Sequence, residues 1–192
     1  MARTAAPDSR ERILASAAAL FYRHGVRAVG MNQVIEAAGC GKNLLYTHFP
    51  SKNDLVAAYL RASRDERDRS SAAAAAGIPA EDAAGRLLAF VAEIAATVAR
   101  PEFVGCAFRR YLAEFPQDEG DAARVARDYL SDTRAHVDRL VTALGVSDPG
   151  RLADRIWLVI EGLYGTAGRA DAAAAGATAT NLVEEMITAA RP

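Results

Sequence analysis

Apolar residues in this chain recur at intervals of three and four, and that period constrains the fold more than any other feature. In residues 81–100, Leu87, Val91, Ile94 and Val98 are spaced by four, three and four, which stacks them on one face of an α-helix. The same stripe runs through residues 10–24 (Ile13, Ala17, Leu20, Phe21), 121–144 (Val125, Tyr129, Val137, Leu140, Val141) and 177–190 (Leu182, Val183, Met186, Ile187). No segment alternates apolar and polar residues as a half-buried strand does. Alanine, the best helix former, is abundant, and β-branched residues are scarce. The fold class expected is all-α, with about nine helices.

Breaker residues divide these stripes. Ser9 is read as the N-cap of the first helix and Gly25 as its stop. A short helix over 31–38 turns inward Val34, Ile35 and Ala38; the tight turn Gly39-Cys40-Gly41 follows, then a second short helix over 42–49. Pro50 ends that helix, and Ser51 caps the next, which starts at Lys52 and runs through Leu55, Val56 and Tyr59 into a charged stretch, 61–69. The alanine-rich stretch 70–79, with Gly77 and Pro79, reads as a frayed helix end and a loop, the best candidate for a module boundary. Pro101 terminates the helix over 81–100, a shorter helix spans 103–115, and 145–150 is a turn. Residues 152–170 are apolar on more than one side: Ile156, Trp157, Leu158, Val159, Ile160, Leu163 and Tyr164. There are no internal repeats.

Charge is unevenly distributed. Residues 1–60 carry seven Lys/Arg against four Asp/Glu, and the remainder sixteen against twenty, within a net charge of -1. A basic head on an acidic body suits a phosphate-binding module joined to a second one. Cys40 and Cys106, 66 positions apart, form neither a disulfide framework nor a metal pattern with histidine; both read as small structural residues in a reducing cytoplasm. His24 reads as a helix-closing residue and His136 as solvated. Residues 1–8 hold no apolar leader pattern, and no uncharged stretch of 18 apolar residues marks a membrane span. No nucleophile–base pair, phosphate loop or metal cluster is present, so neither an enzyme nor a cofactor is expected.

The two short helices and their glycine turn suit the DNA major groove, which is about 12 Å wide and admits one helix. The second helix needs apolar residues behind it and polar ones in front. Leu45 and Phe49 supply the inner face. Lys42, Asn43, Tyr46, Thr47 and His48 are left facing outward, a basic, hydrogen-bonding and aromatic surface.

The run Gly39-Cys40-Gly41-Lys42-Asn43-Leu44-Leu45-Tyr46-Thr47-His48-Phe49-Pro50-Ser51-Lys52-Asn53-Asp54-Leu55 resembles the signature of the TetR/AcrR family of transcriptional regulators. Phe21-Tyr22-Arg23-His24-Gly25 resembles the end of that family's first helix. The likeness covers about residues 10–60 and implies a helix-turn-helix DNA-binding domain over 1–55, followed by a helical effector-binding and dimerisation domain over 56–192. It implies that Lys42 and Asn43 reach base edges, Lys to guanine and Asn to adenine being natural pairs. It implies that Thr47 touches a base methyl or a phosphate, that Tyr46, His48 and Lys52 hold the DNA backbone, and that Asn32 can reach a base. Gly30, Gly41 and Leu44 depart from the pattern: the family usually has hydroxyl residues there, and glycine offers no side-chain oxygen as a cap.

The resemblance also implies a homodimer on a palindromic double-stranded operator, because paired heads read two half-sites about 34–36 Å apart. Trp157, Ile160, Tyr164, Leu182, Val183, Met186 and Ile187 are the expected dimer contacts. A small, partly apolar effector of unknown identity is expected among Phe90, Phe103, Phe108, Tyr111, Trp157 and Tyr164, with Glu93 or Glu161 as polar anchors. The function expected is operator-specific repression relieved by that effector. Two alternatives stand beside it: a helical interaction module without specific DNA binding, and an enzyme with a helical active site.

Overall fold

The computed structural model describes residues 7–191, as nine α-helices with no strand among them. The leaderless pattern read in residues 1–8 lies outside what can be described beyond the backbone of the first helical turn. In order the helices are α1 (Pro7–His24), α2 (Met31–Ala38), α3 (Lys42–His48), α4 (Lys52–Ala74), α5 (Ala83–Val98), α6 (Ala107–Glu114), α7 (Asp121–Ala143), α8 (Pro149–Tyr164) and α9 (Ala172–Ala190).

Most boundaries follow local chemistry. Asp82 and Asp148 cap α5 and α8 by accepting from the amides of Gly85 (2.8 Å) and Arg151 (3.0 Å). Ser51 accepts from the Asp54 amide at the start of α4. Each is a side-chain oxygen satisfying an amide that has no partner within its helix. Three boundaries differ from expectation and one agrees. Ser9 is not the cap of α1: it lies inside the helix, is buried, and turns its hydroxyl toward α3. The alanine-rich stretch 70–79 does hold a helix end and a loop: α4 runs to Ala74, and Gly77 beyond it adopts a positive φ of 80°. α6 starts only after Gly105, which has a φ of 118°. α9 begins at Ala172, earlier than its stripe predicts, because alanine propagates a helix without a periodic apolar face.

The chain packs as two compact units. The first comprises residues up to 65 together with 107–129, and the second 66–106 together with 130–192. In the first unit α1, α2 and α3 pack on one another over Ile13, Phe21, Val34, Leu45 and Phe49. Residues 55–60 of α4 are all buried, so this stretch is enclosed on every side. In the second unit α5, α8 and α9 form the core through Leu87, Ile94, Ile156, Ile160, Val183 and Ile187. Gly176 of α9 lies so close to α5 that a Cβ there would stand 3.0 Å from that of Ala95. The chain passes between the units inside α4, between Cys106 and Ala107, and inside α7.

Candidate nucleic-acid interface

The first unit presents α3 as a short helix with a dry back and a polar front. Leu45 is fully buried and Phe49, just past the last turn, is 2% exposed. Arg10 of α1 covers the Phe49 ring, its guanidinium carbon 5.0 Å from the centroid. On the opposite face Lys42, Asn43, Tyr46 and Thr47 are exposed, and Asn32 of α2 is exposed as well. The ammonium of Lys42 lies 6.0 Å from the Tyr46 ring centroid, at the outer limit of a cation–π contact. Thr47 donates to the carbonyl of Asn43 (2.8 Å), which leaves its methyl and the acceptor side of its hydroxyl for a partner. His48 is half-buried and shares a 2.8 Å hydrogen bond with Ser9, whose hydroxyl donates or accepts according to the ring tautomer. Lys52 is half-buried at the start of α4; burial lowers its pKa, and the Glu114 carboxylate acts in the opposite direction.

The glycine departures are not demanded by the backbone. Gly30 and Gly41 precede α2 and α3 with φ of -90° and -77°, values any residue adopts. A Cβ on Gly41 would meet nothing within 4 Å, and one on Gly30 only Gln33 Oε1 at 3.7 Å. Serine would fit at either position. At α2 the Gln33 side chain supplies one half of a capping box by accepting from the Gly30 amide (2.7 Å).

The residues expected around an effector divide between the units: Phe108 and Tyr111 in the first, and Phe90, Glu93, Phe103, Trp157, Glu161 and Tyr164 in the second. Most already have side-chain partners. Phe108 stacks on Tyr129 at 3.8 Å between centroids, Phe103 lies 6.3 Å from Tyr164, and the Arg134 guanidinium lies 5.9 Å from Trp157. Glu93 is held by Arg67 in an ion pair of 2.6 Å. Phe90 meets His136 edge-on at 5.1 Å. His136 is therefore packed against Phe90 and half-buried rather than solvated; its pKa is lowered by burial and then by Arg139 and Arg86. A surface depression between α8 and α9 is lined by Ser147, Arg151, Arg155 and Met186 and contains none of the aromatic set.

Tyr111 donates to Asp118 Oδ2 at 2.6 Å. That bond, then the Gly120 amide, lowers the Asp118 pKa, while burial and then the same bond raise that of the Tyr111 phenol. A carboxyl whose pKa is depressed by folding adds stability that is full above its unfolded value, about 4, and disappears as pH falls through the folded value. Tyr111→Phe is expected to return Asp118 toward an ordinary carboxyl, measured by carbon NMR titration. An unmoved titration would show that Tyr111 is not the cause.

Of the residues expected at a dimer surface, Ile160, Val183 and Ile187 are buried inside the protomer, at 0%, 0% and 3% exposure. They spend their side chains on the core of α5, α8 and α9 and leave no area for a twin. Trp157, Tyr164 and Met186 are half-buried, and Leu182 is exposed. Leu158, absent from the expected set, is 70% exposed on α8. Its position opposite Ile156 and Ile160 on the helix was the available signal.

Among the described residues no group of His, Cys, Asp or Glu could hold a metal ion, and no helix is long and apolar enough to cross a membrane.

Residues 13–59 match the family described as bacterial regulatory proteins, tetR family. They run from α1 to α4 inside the first unit. The HTH-type transcriptional regulator LmrA of Bacillus subtilis is 44% identical over 50 residues, 26% of this chain and 27% of that protein. The match thus spans only about a quarter of that curated relative. The solved structure of SCO4454, a TetR-family transcriptional regulator from Streptomyces coelicolor, superposes with a TM-score of 0.87 at 26% identity, over 95% of this chain and 96% of that one. A Streptomyces avermitilis protein described as a TetR transcriptional regulator is 32% identical over 95% of this chain and 97% of its own, with a TM-score of 0.69. The chain belongs to the TetR family. The proteins it resembles are described as regulators, and the enzyme alternative is set aside on that ground.

As a TetR-family chain it carries the helix-turn-helix in α2 and α3. Sequence reasoning did not find that the first unit also contains α6 and the first part of α7. Arg110 and Glu114 of α6 bond to α1 and to the turn after it. These contacts join residues more than 80 positions apart, and no periodicity reports them.

Proposed function

We propose that this protein is an operator-specific DNA-binding regulator that acts as a homodimer in the cytoplasm and represses transcription until a small, partly apolar effector releases it. The observation that carries the reading is the exposed face of α3, where Lys42, Asn43, Tyr46 and Thr47 stand in front of the buried Leu45. A lysine and an asparagine at the first turn match guanine and adenine edges in the major groove. Asn32, exposed on α2, would add to that face, while His48 and Lys52 would make phosphate contacts that set register. Residues 1–55 would be the DNA-binding part, and 56–192 would carry effector binding and dimerisation. A twin would meet α8 and α9 through Leu158, Leu182, Trp157 and Met186, apolar side chains that the protomer leaves exposed or half-buried.

The test is selection of bound genomic fragments by the purified protein, followed by titration of the recovered fragment against salt and against Lys42→Ala. A palindromic fragment is expected. Affinity should fall steeply with salt as phosphate contacts release counterions. Lys42→Ala should cost about 1–3 kcal/mol on the selected fragment and relax its preference at one base pair. Salt-insensitive binding, or an unchanged Lys42→Ala titration, would overturn the reading in favour of an interaction module.

A further inference from the structure

We infer that Glu114, at the C-terminal end of α6, is a positioning residue for the recognition helix; the inference rests on the DNA-binding reading above and assigns it a further part. Glu114 Oε1 accepts from the Val26 amide (3.2 Å) and Oε2 from the Arg27 amide (2.7 Å). One carboxylate thus takes two successive amides of the turn between α1 and α2. Bonds from N–H groups to a charged acceptor are the stronger kind. Arg27 returns a bond to the Glu114 carbonyl and lays its guanidinium 4.9 Å from the Phe115 ring centroid. One turn earlier on α6, Arg110 donates to the Tyr22 carbonyl and lies 5.8 Å from the Tyr22 ring centroid. The end of α1 and the turn after it are therefore gripped from α6 at three points, Tyr22, Val26 and Arg27.

Gly25 is shaped to this grip. Its φ is +85°, and a Cβ there would stand 2.9 Å from Glu114 Oε1. Its positive φ favours glycine, and a side chain there would push the carboxylate off the two amides it accepts from. Beyond it, Val26 and Val29 are buried, and Gly30 opens α2. Fixing 25–29 fixes where α2 begins, and α2 packs directly on α3. Glu114 does not lie on the exposed face of α3; it acts through the turn.

Electrostatics gives the opposite sign to this role, which makes the two separable. A carboxylate in a basic head repels phosphate, so its removal should strengthen DNA binding whatever the sequence. Positioning predicts weaker binding to the specific site only. Glu114→Ala and Glu114→Gln are measured on the fragment selected by the wild-type protein and on random duplex, with Lys42→Ala alongside. Glu114→Ala should lose about tenfold on the selected fragment, the size of a modest coupling between sites, while random duplex is bound equally or more tightly. Glu114→Gln, which keeps one acceptor oxygen, should fall between. The amide proton resonances of Val26 and Arg27 should move upfield in Glu114→Ala. Should that variant not fold, Glu114→Gln carries the same two measurements. Selected-fragment affinity at or above wild type in a folded variant overturns the inference. If Lys42→Ala lowers the ratio of specific to random binding and Glu114→Ala does not, only the positioning role fails. If neither lowers it, the DNA-binding reading fails with it.

Discussion

Arg67→Met is expected to destabilise the protein by about 3 kcal/mol, the lower end of the cost of stranding one partner of a buried ion pair. Arg67, in the second half of α4, donates from Nη1 to Glu93 Oε1 (2.8 Å) and Thr97 Oγ1 (3.0 Å), and from Nη2 to Glu93 Oε2 (2.6 Å). The side chains are 20% and 10% exposed, so water recovers little of the charge when one partner goes. Thr97, which donates to Glu93 Oε1 at 3.1 Å, cannot replace the second bond of the fork. At about 2–4 °C per kcal/mol for a chain of this size, the midpoint of thermal unfolding should fall by roughly 6–12 °C. Arg67→Met combined with Glu93→Leu should recover most of that loss, because removing both charges removes the stranded one. A single variant within about 1 kcal/mol of wild type would mean that solvent reaches the pair; the cutoff is the usual upper value for surface pairs. The pair also bears on Glu93 as an effector anchor: both carboxylate oxygens already accept from Arg67, so an effector group binding there would have to displace a guanidinium.

Where local chemistry decides an element, the sequence was a sufficient guide. α2 runs over Met31–Ala38 as its apolar residues and flanking glycines predict. Ser51, Pro50 and the Gly39-Cys40-Gly41 turn act where they stand. The outward set of α3 is legible because Leu45 and Phe49 are four positions apart, which leaves one face for the core. Ser9 shows the limit. Serine before a periodic stripe is a cap by local rules, yet here a histidine 39 positions away takes its hydroxyl. Ile160, Val183 and Ile187 show a second limit. An apolar stripe identifies the buried face of a helix but not what buries it, and α5 takes the face that had been assigned to a twin. Glu114 shows a third. A carboxylate that caps a turn 87 residues back leaves no periodic trace, and the glycine at 25 reads in sequence only as a helix stop.

Leu45→Ala is expected to weaken binding to the selected operator fragment more than Lys42→Ala does, although Leu45 reaches no base. The recognition helix spans only seven residues. An isolated helix shorter than about 12–15 residues is marginal in water, so α3 exists because its inner face is buried. Leu45 is that face: it is fully buried at the centre of the helix, with Phe49 one turn on. Truncating a buried leucine to alanine costs about 2.7–5 kcal/mol through lost transfer energy and the cavity left behind. On the proposed reading, Lys42→Ala would remove one contact and leave Asn43, Tyr46 and Thr47 in register. Leu45→Ala would loosen the backing of the whole helix, and the proposed contacts would weaken together. The substitution removes no charge, so weak binding to random duplex and its salt slope should change little while specific binding is lost. Fluorescence anisotropy on the two duplexes, with amide exchange of 42–48 as the readout of helix opening, separates these effects. Faster exchange with undiminished operator affinity would show that DNA itself rebuilds the helix on contact, and that the protein need not hold α3 ready beforehand.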